Sequence, residues 1–260
     1  MAVKQFTQSV MFIHGLFTNY QCWDEWVKHF MAIGYLPIAQ PWPGRDKTVA
    51  ELRDNPDDAL LARLTLEQVI AEHVNAIHLL PEPPILIGHS MGGLIVQILL
   101  NRGIGAAGVA IHSAPPQGVI STQWSFLRSN WPLINPFIPA ERPYRMTFPE
   151  WQYAFTNGLP GDVQRASYDN SVRPESRRVA RGALSGVARV DFSQPHAPLL
   201  LVAGGSDHII PPSLNRSNYA RYKASHSQTD IVEFPGRTHY VLQQQGWQEV
   251  ADYVLSWLGQ

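Results

Sequence analysis

The chain has 260 residues, and hydrophobic side chains make up 45% of it, enough for one α/β domain or two small ones with a sizeable core. Its formal net charge is -1, so no charge excess points to nucleic acid or to an anionic membrane. Cys22 is the only cysteine, which excludes an internal disulfide and permits a reducing compartment.

The first apolar segment, Ser9 to His14, follows Met1 to Gln5 almost at once and is too short and too early for a signal-peptide core. No apolar run has membrane-spanning length. A soluble cytoplasmic protein is the expectation.

In chain order, Ser9 to His14 reads as a buried strand, closed by Gly15. Trp23, Trp26, Val27 and Phe30 fall at helical spacing. Tyr35 to Gln40 is a second strand, with Pro37 placing it near an edge. Leu66, Val69, Ile70, Val74, Ile77 and Leu80 trace a helix over Leu64 to Leu80, broken by Pro81 to Pro84. Ile85 to Ile87 is a third strand and Leu94 to Leu100 an apolar helix stopped near Gly103 and Gly105. Gly108 to His112, Leu199 to Ala203 and Ile231 to Phe234 are three more strands, and Trp247 to Leu258 is a closing amphipathic helix.

Strands alternating with helices imply βαβ units and a mostly parallel sheet with helices on both faces. Ligand sites of such sheets lie beyond the carboxyl ends of the strands. From Pro115 to Pro195 no strand is clear, and the stretch is rich in Pro and aromatics. A structureless loop of that length is implausible in a compact domain. The expected organisation is a core of residues 1–114 and 196–260, with a helical cap, or lid, of residues 115–195 entered through Pro115-Pro116.

Gly88-His89-Ser90-Met91-Gly92 follows a strand and opens a helix. A Gly-x-Ser-x-Gly motif in that context forms a tight turn that exposes the serine hydroxyl at the sheet edge, beside free N–H groups of the helix start. Glycines two places to either side remove Cβ atoms that would clash. A serine needs a base, and the base needs a third group to fix its tautomer. Asp207 lies just past the fifth strand, in Gly204-Gly205-Ser206-Asp207. His239 is the only histidine between the sixth strand and the closing helix. The order Ser90, Asp207, His239 suits this type of sheet. His208 adjoins Asp207 and competes for it, from the wrong chain position for a base.

Negative charge on the attacked carbonyl oxygen calls for preorganised backbone donors. The N–H of Met91, directly after the serine, and that of Leu16, in the loop after the first strand, are the candidates. Phe17, His112, Trp124 and Phe126 are the candidate pocket residues. Arg177, Arg178 and Arg181 share one predicted helix, which is read as a solvated face rather than as an anchor for a carboxylate substrate.

Together, His14-Gly15, Gly88 to Gly93, Gly205-Ser206-Asp207 and Gly236 to His239 resemble the α/β-hydrolase superfamily, most closely its small capped serine esterases. The resemblance covers the chain apart from the cap. It implies a central sheet, a helical lid and a Ser-His-Asp triad. The two strands that often open the family have no room before Ser9.

Hydrolysis of small to medium apolar carboxylic esters through an acyl-enzyme on Ser90 is the leading expectation, with a small-molecule ester as partner. The same residues could act on an amide, lactone, thioester or carbon–carbon bond. From other classes come cofactor-free oxygenation and non-catalytic binding. Ser90 argues against relatives with an aspartate nucleophile, and the absence of a lysine near Asp207 argues against hydroxynitrile lyases. No metal or nucleotide motif stands out, so no cofactor is expected.

Overall fold

The computed structural model describes residues 8–55 and 58–259. The reading of the extreme N-terminus lies outside these residues. Among the described residues six strands form a single sheet: β1 (Ser9–Ile13), β2 (Leu36–Gln40), β3 (Ile85–His89), β4 (Ala107–Ile111), β5 (Leu199–Gly204) and β6 (Thr229–Phe234). Every pairing is parallel, and the spatial order is β2-β1-β3-β4-β5-β6. All six expected strands are present within a few residues of their expected ends. β2 lies at an edge, where Pro37 is tolerated.

The helices are α1 (Asp24–Ile33), α2 (Val49–Asp54), α3 (Ala59–Arg63), α4 (Leu66–His78), α5 (Met91–Asn101), α6 (Trp124–Ile134), α7 (Phe148–Ala154), α8 (Gly161–Ser171), α9 (Arg177–Gly182), α10 (Pro212–Tyr222) and α11 (Trp247–Leu258). Between β4 and β5 the described chain holds α6 to α9 and adds no strand to the sheet, only an isolated bridge between Tyr144 and Glu175.

Strand geometry sends alternate side chains to opposite faces. Met11, Ile13, Leu86 and Leu201 pack on one face against α4, α5 and α10. Val10, Phe12, Ile87 and Val202 pack on the other against α1 and α11. There Trp26 is fully buried, stacks on Phe30 and Trp247, and donates its indole N–H to the Leu242 carbonyl at 3.1 Å. Truncating so large a buried side chain costs about 3–5 kcal/mol. α5 is almost wholly apolar apart from Gln97 and is buried along almost its whole length, packed against β1, β3, β4 and α4.

The insertion is tied to the core by buried polar contacts. Arg45, between β2 and α2, donates to the Pro174 carbonyl at 2.7 Å and to the Glu175 carboxylate at 2.5 Å. Ser176 donates to the Leu64 carbonyl at 2.8 Å. Arg177 and Arg181 turn inward and cap carbonyls of Pro132, Arg142, Pro143, Leu133, Asn135 and Ile138, while Arg178 pairs with Glu141. The first and last of the three arginines are therefore staples, not a solvated face. The orphan carbonyls at the end of α6 gave them partners that spacing alone does not reveal.

Candidate active site

Ser90 sits between β3 and α5 with φ 57° and ψ -118°, a conformation that L-residues rarely adopt. Its backbone is clamped to the end of β4: Ser90 N–H donates to Ile111 O at 3.0 Å, and Ala114 N–H donates to Ser90 O at 3.0 Å. The turn depends on its glycines. A Cβ on Gly88 would stand 2.2 Å from Gly92 O, and one on Gly92 would stand 2.1 Å from Ile13 O. Strain in the backbone is thus held by packing from two neighbouring strands.

His239 approaches from the loop after β6. That loop is pinned by Arg237, which donates to Gln245 O, Gly246 O and Glu249, and by Thr238 N–H, which donates to the Gln244 side chain. His239 Nε2 lies 2.9 Å from Ser90 Oγ, and His239 Nδ1 lies 2.6 Å from Asp207 Oδ2. Asp207 follows β5 and is buried. Its Oδ1 accepts the N–H groups of Ile209 and Ile210, both at 2.8 Å. Burial works against its charge, but His239 and the hydrogen bonds from His112 and His239 outweigh it. They hold the carboxyl well below the usual carboxylate range. An ionised Asp207 fixes Nδ1–H on His239 and leaves Nε2 to accept from Ser90.

The structure therefore brings Ser90, His239 and Asp207 together in one hydrogen-bonded line. His208, the competitor, points away and bonds the Tyr153 carbonyl through Nδ1. Met91 is the first residue of α5, a position without an intrahelical acceptor for its N–H. Leu16 and Met91 both border the small cavity at Ser90. Gly15 lies against the serine; a Cβ there would stand 2.7 Å from Ser90 Cβ.

That small cavity, about 40 Å³, is lined by Phe17, Met146, Phe155 and Ile209 beside Ser90. Leu16, Met91, Ala114, Asn130, Leu133 and Ile210 line it and also a larger apolar chamber of about 270 Å³. Phe126, Val119, Ile134, Ala180 and Ala183 line the chamber as well, beside Gln117 and Ile120. Phe17 and Phe126 thus reach the pocket. Trp124 does not: it is 72% exposed, because α6 turns Phe126, Asn130 and Leu133 inward and Trp124 outward. His112 does not line the pocket either. It is fully buried beneath the site, with Nδ1 2.8 Å from Asp207 Oδ2.

The sequence reading missed Asn130, Phe155 and the bond between His112 and Asp207. Phe155 packs edge-on against His239 at 4.8 Å. For His112 the available signal was its place at the carboxyl end of β4, beside the strands that carry Ser90 and Asp207. Among the described residues, only His89, His112 and His239 gather closely enough to hold a metal ion, with ring nitrogens within 4.8 Å of one another. Asp207 already occupies one nitrogen of His112 and one of His239.

A family model described as "Alpha/beta hydrolase family" matches residues 10–253. The chain belongs to the alpha/beta hydrolase family. No curated protein matches it in sequence. Its fold is shared by a monoacylglycerol lipase from Paleococcus ferrophilus, with 19% identity and a TM-score of 0.67 over 98% of this chain and 95% of that one. An extracellular alpha/beta-hydrolase from a Paenibacillus species is similar at 18% identity and a TM-score of 0.71, over 96% of this chain and 98% of that one. A pyrethroid hydrolase from Sphingobium faniae JZ-2 is similar at 15% identity and a TM-score of 0.67, over 96% of each chain. At these identities the likeness speaks for the fold. Among the described residues no helix is long and apolar enough to cross a membrane.

Proposed function

We propose that this hydrolase cleaves carboxylic esters with an uncharged, apolar acyl or alcohol group, through an acyl-enzyme on Ser90. The observation that carries the reading is the line from Ser90 Oγ through His239 to Asp207, with contacts of 2.9 and 2.6 Å. His239 Nε2 takes the hydroxyl proton as Oγ attacks the carbonyl carbon. The N–H groups of Leu16 and Met91 receive the developing oxyanion. His239 returns the proton to the leaving alcohol, and then activates water to release the acid. Asp207 stays ionised and stabilises the imidazolium. The helices of residues 115–195 act as a cap that keeps the chamber apolar and sets what fits.

The chamber supports the apolar substrate. Among the described residues its lining is almost wholly aliphatic, with Asn130 and Gln117 the only polar side chains and no charged one. At about 270 Å³ it is far larger than the cavity of about 40 Å³ at Ser90, with which it shares six lining residues. Structures of the same fold belong to a lipase and a pyrethroid hydrolase, which agrees with this class.

Hydrolysis of p-nitrophenyl esters from acetyl to palmitoyl tests the reading. Wild type should turn over short and medium esters, and Ser90→Ala should lose several orders of magnitude in rate. Inactivity of the wild type on every ester would overturn it.

A further inference from the structure

We propose that His112 is a positioning residue for the reaction at Ser90: through its Nδ1–H it holds the Asp207 carboxylate in the orientation that meets His239. The proposal rests on the serine-hydrolase reading and adds a fourth residue to it.

Asp207 receives four hydrogen bonds. Two backbone N–H groups fix Oδ1. The other oxygen, Oδ2, is shared by two imidazoles, His239 at 2.6 Å and His112 at 2.8 Å. Without His112, only His239 would orient Oδ2, and His239 is the group whose proton count changes during turnover. His112 provides a fixed donor from a third strand, so the carboxylate does not swing when His239 gains or loses charge.

The surroundings of His112 keep it from exchanging roles with His239. It is fully buried, and its backbone is held at φ 45° with N–H donating to Val202 O at 2.7 Å. Its ring lies over Gly204, where a Cβ would stand 2.2 Å from Cε1 and 2.7 Å from Nε2. Nε2 is buried and has no hydrogen-bond partner among the described residues. A second N–H there would be unsatisfied, so His112 remains neutral with its one proton on Nδ1. The ionisable groups that face it are Asp207, His239, His89 and, more distantly, Arg237. Burial lowers the His112 pKa, against the pull of Asp207, in keeping with a neutral ring. The positive charge of the transition state therefore falls on His239, whose Nε2 meets the serine.

The test pairs His112→Leu, which removes the donor, with His112→Asn, which offers an amide N–H in nearly the same place. His112→Leu should lower kcat about 10- to 100-fold with KM within about threefold, the pattern of a lost transition-state interaction. The acid limb of kcat/KM should move up, because Asp207 with one donor fewer holds the His239 proton more tightly. His112→Asn should recover most of kcat and return the limb. A merely structural role would lower the melting temperature and leave the limb in place, and that result would overturn the proposal. Ring-nitrogen NMR on the Ser90→Ala protein reads the same point without turnover. A neutral His112 protonated at Nδ1 supports the proposal, and an Nε2–H tautomer refutes it, also where His112→Leu does not fold. If wild type hydrolysed no ester, the hydrolase reading would fail while the NMR result still decided whether His112 holds Asp207.

Discussion

Replacing Arg45 by alanine should destabilise the protein far more than removing an arginine from a surface pair. Arg45 is 2% exposed and Glu175 is not exposed at all, and one guanidinium nitrogen serves both the carboxylate at 2.5 Å and the Pro174 carbonyl at 2.7 Å. Deleting Arg45 takes the ion-pair partner from a fully buried carboxylate whose burial already pushes its pKa up, leaving only the nearby Arg173 charge and the Phe17 backbone hydrogen bond to support it. Breaking a buried pair in this way costs about 3–5 kcal/mol. For a chain of this size that corresponds to a fall in Tm of about 6–20 °C. Arg216, which pairs with Glu233 on the surface, is the control. Its loss should cost below about 1 kcal/mol. Thermal melts followed by circular dichroism compare the two. If Arg45→Ala and Arg216→Ala shifted Tm by the same few degrees, the claim that a buried ion pair ties the insertion to the core would be wrong.

Filling the chamber should change selectivity rather than chemistry: Ala183→Phe should raise KM for p-nitrophenyl octanoate several-fold and leave the acetate nearly unchanged, and equal losses on both would count against the chamber as the acyl or alcohol site. Asp207→Asn should keep the fold and lower kcat by about 10³–10⁴-fold, since the amide no longer fixes the His239 tautomer; steady-state assays of the variant check this. His73 is buried on α4, with its pKa lowered by burial to about 4 despite a hydrogen bond to the Val69 carbonyl. Between pH 6.5 and 4 the unfolded chain binds a proton there and the folded one does not, so stability falls as the pH drops through that window, by about 3 kcal/mol at most. Urea titrations at pH 7 and pH 4.5 should show a smaller loss for His73→Leu than for wild type.

The strands were legible because they are apolar on both faces and bounded by glycine or proline, as in β3 and β5. The helices α1, α4, α5 and α11 were legible from their apolar periodicity, although α4 starts two residues later than expected, behind a Thr65–Gln68 capping box. α10 escaped because its buried face is polar: Asn218 and Tyr222 both donate to the Gln97 side chain at 2.8 and 2.9 Å. Hydrophobic periodicity carries no trace of such a contact. α2 and α3 are a turn or so each, held by Thr48 and Asp58 at their starts. At the site, Ser90, Asp207 and His239 stood out because each follows a strand end in an order the sheet topology brings together. Trp124 misled because nearness in sequence to β4 does not say which way α6 faces. His112 was legible as a site neighbour but not as a partner of Asp207, since a shared carboxylate oxygen is set by three loops meeting in space.

Labelling with a fluorophosphonate, followed by mass spectrometry of the peptides, shows whether Ser90 is the activated nucleophile. Such a probe reports a serine made nucleophilic by its neighbours. One adduct per chain on Ser90, lost in His239→Ala, is the expected result. No adduct on the folded wild type, or an adduct on another residue with Ser90 unmodified, would contradict the account.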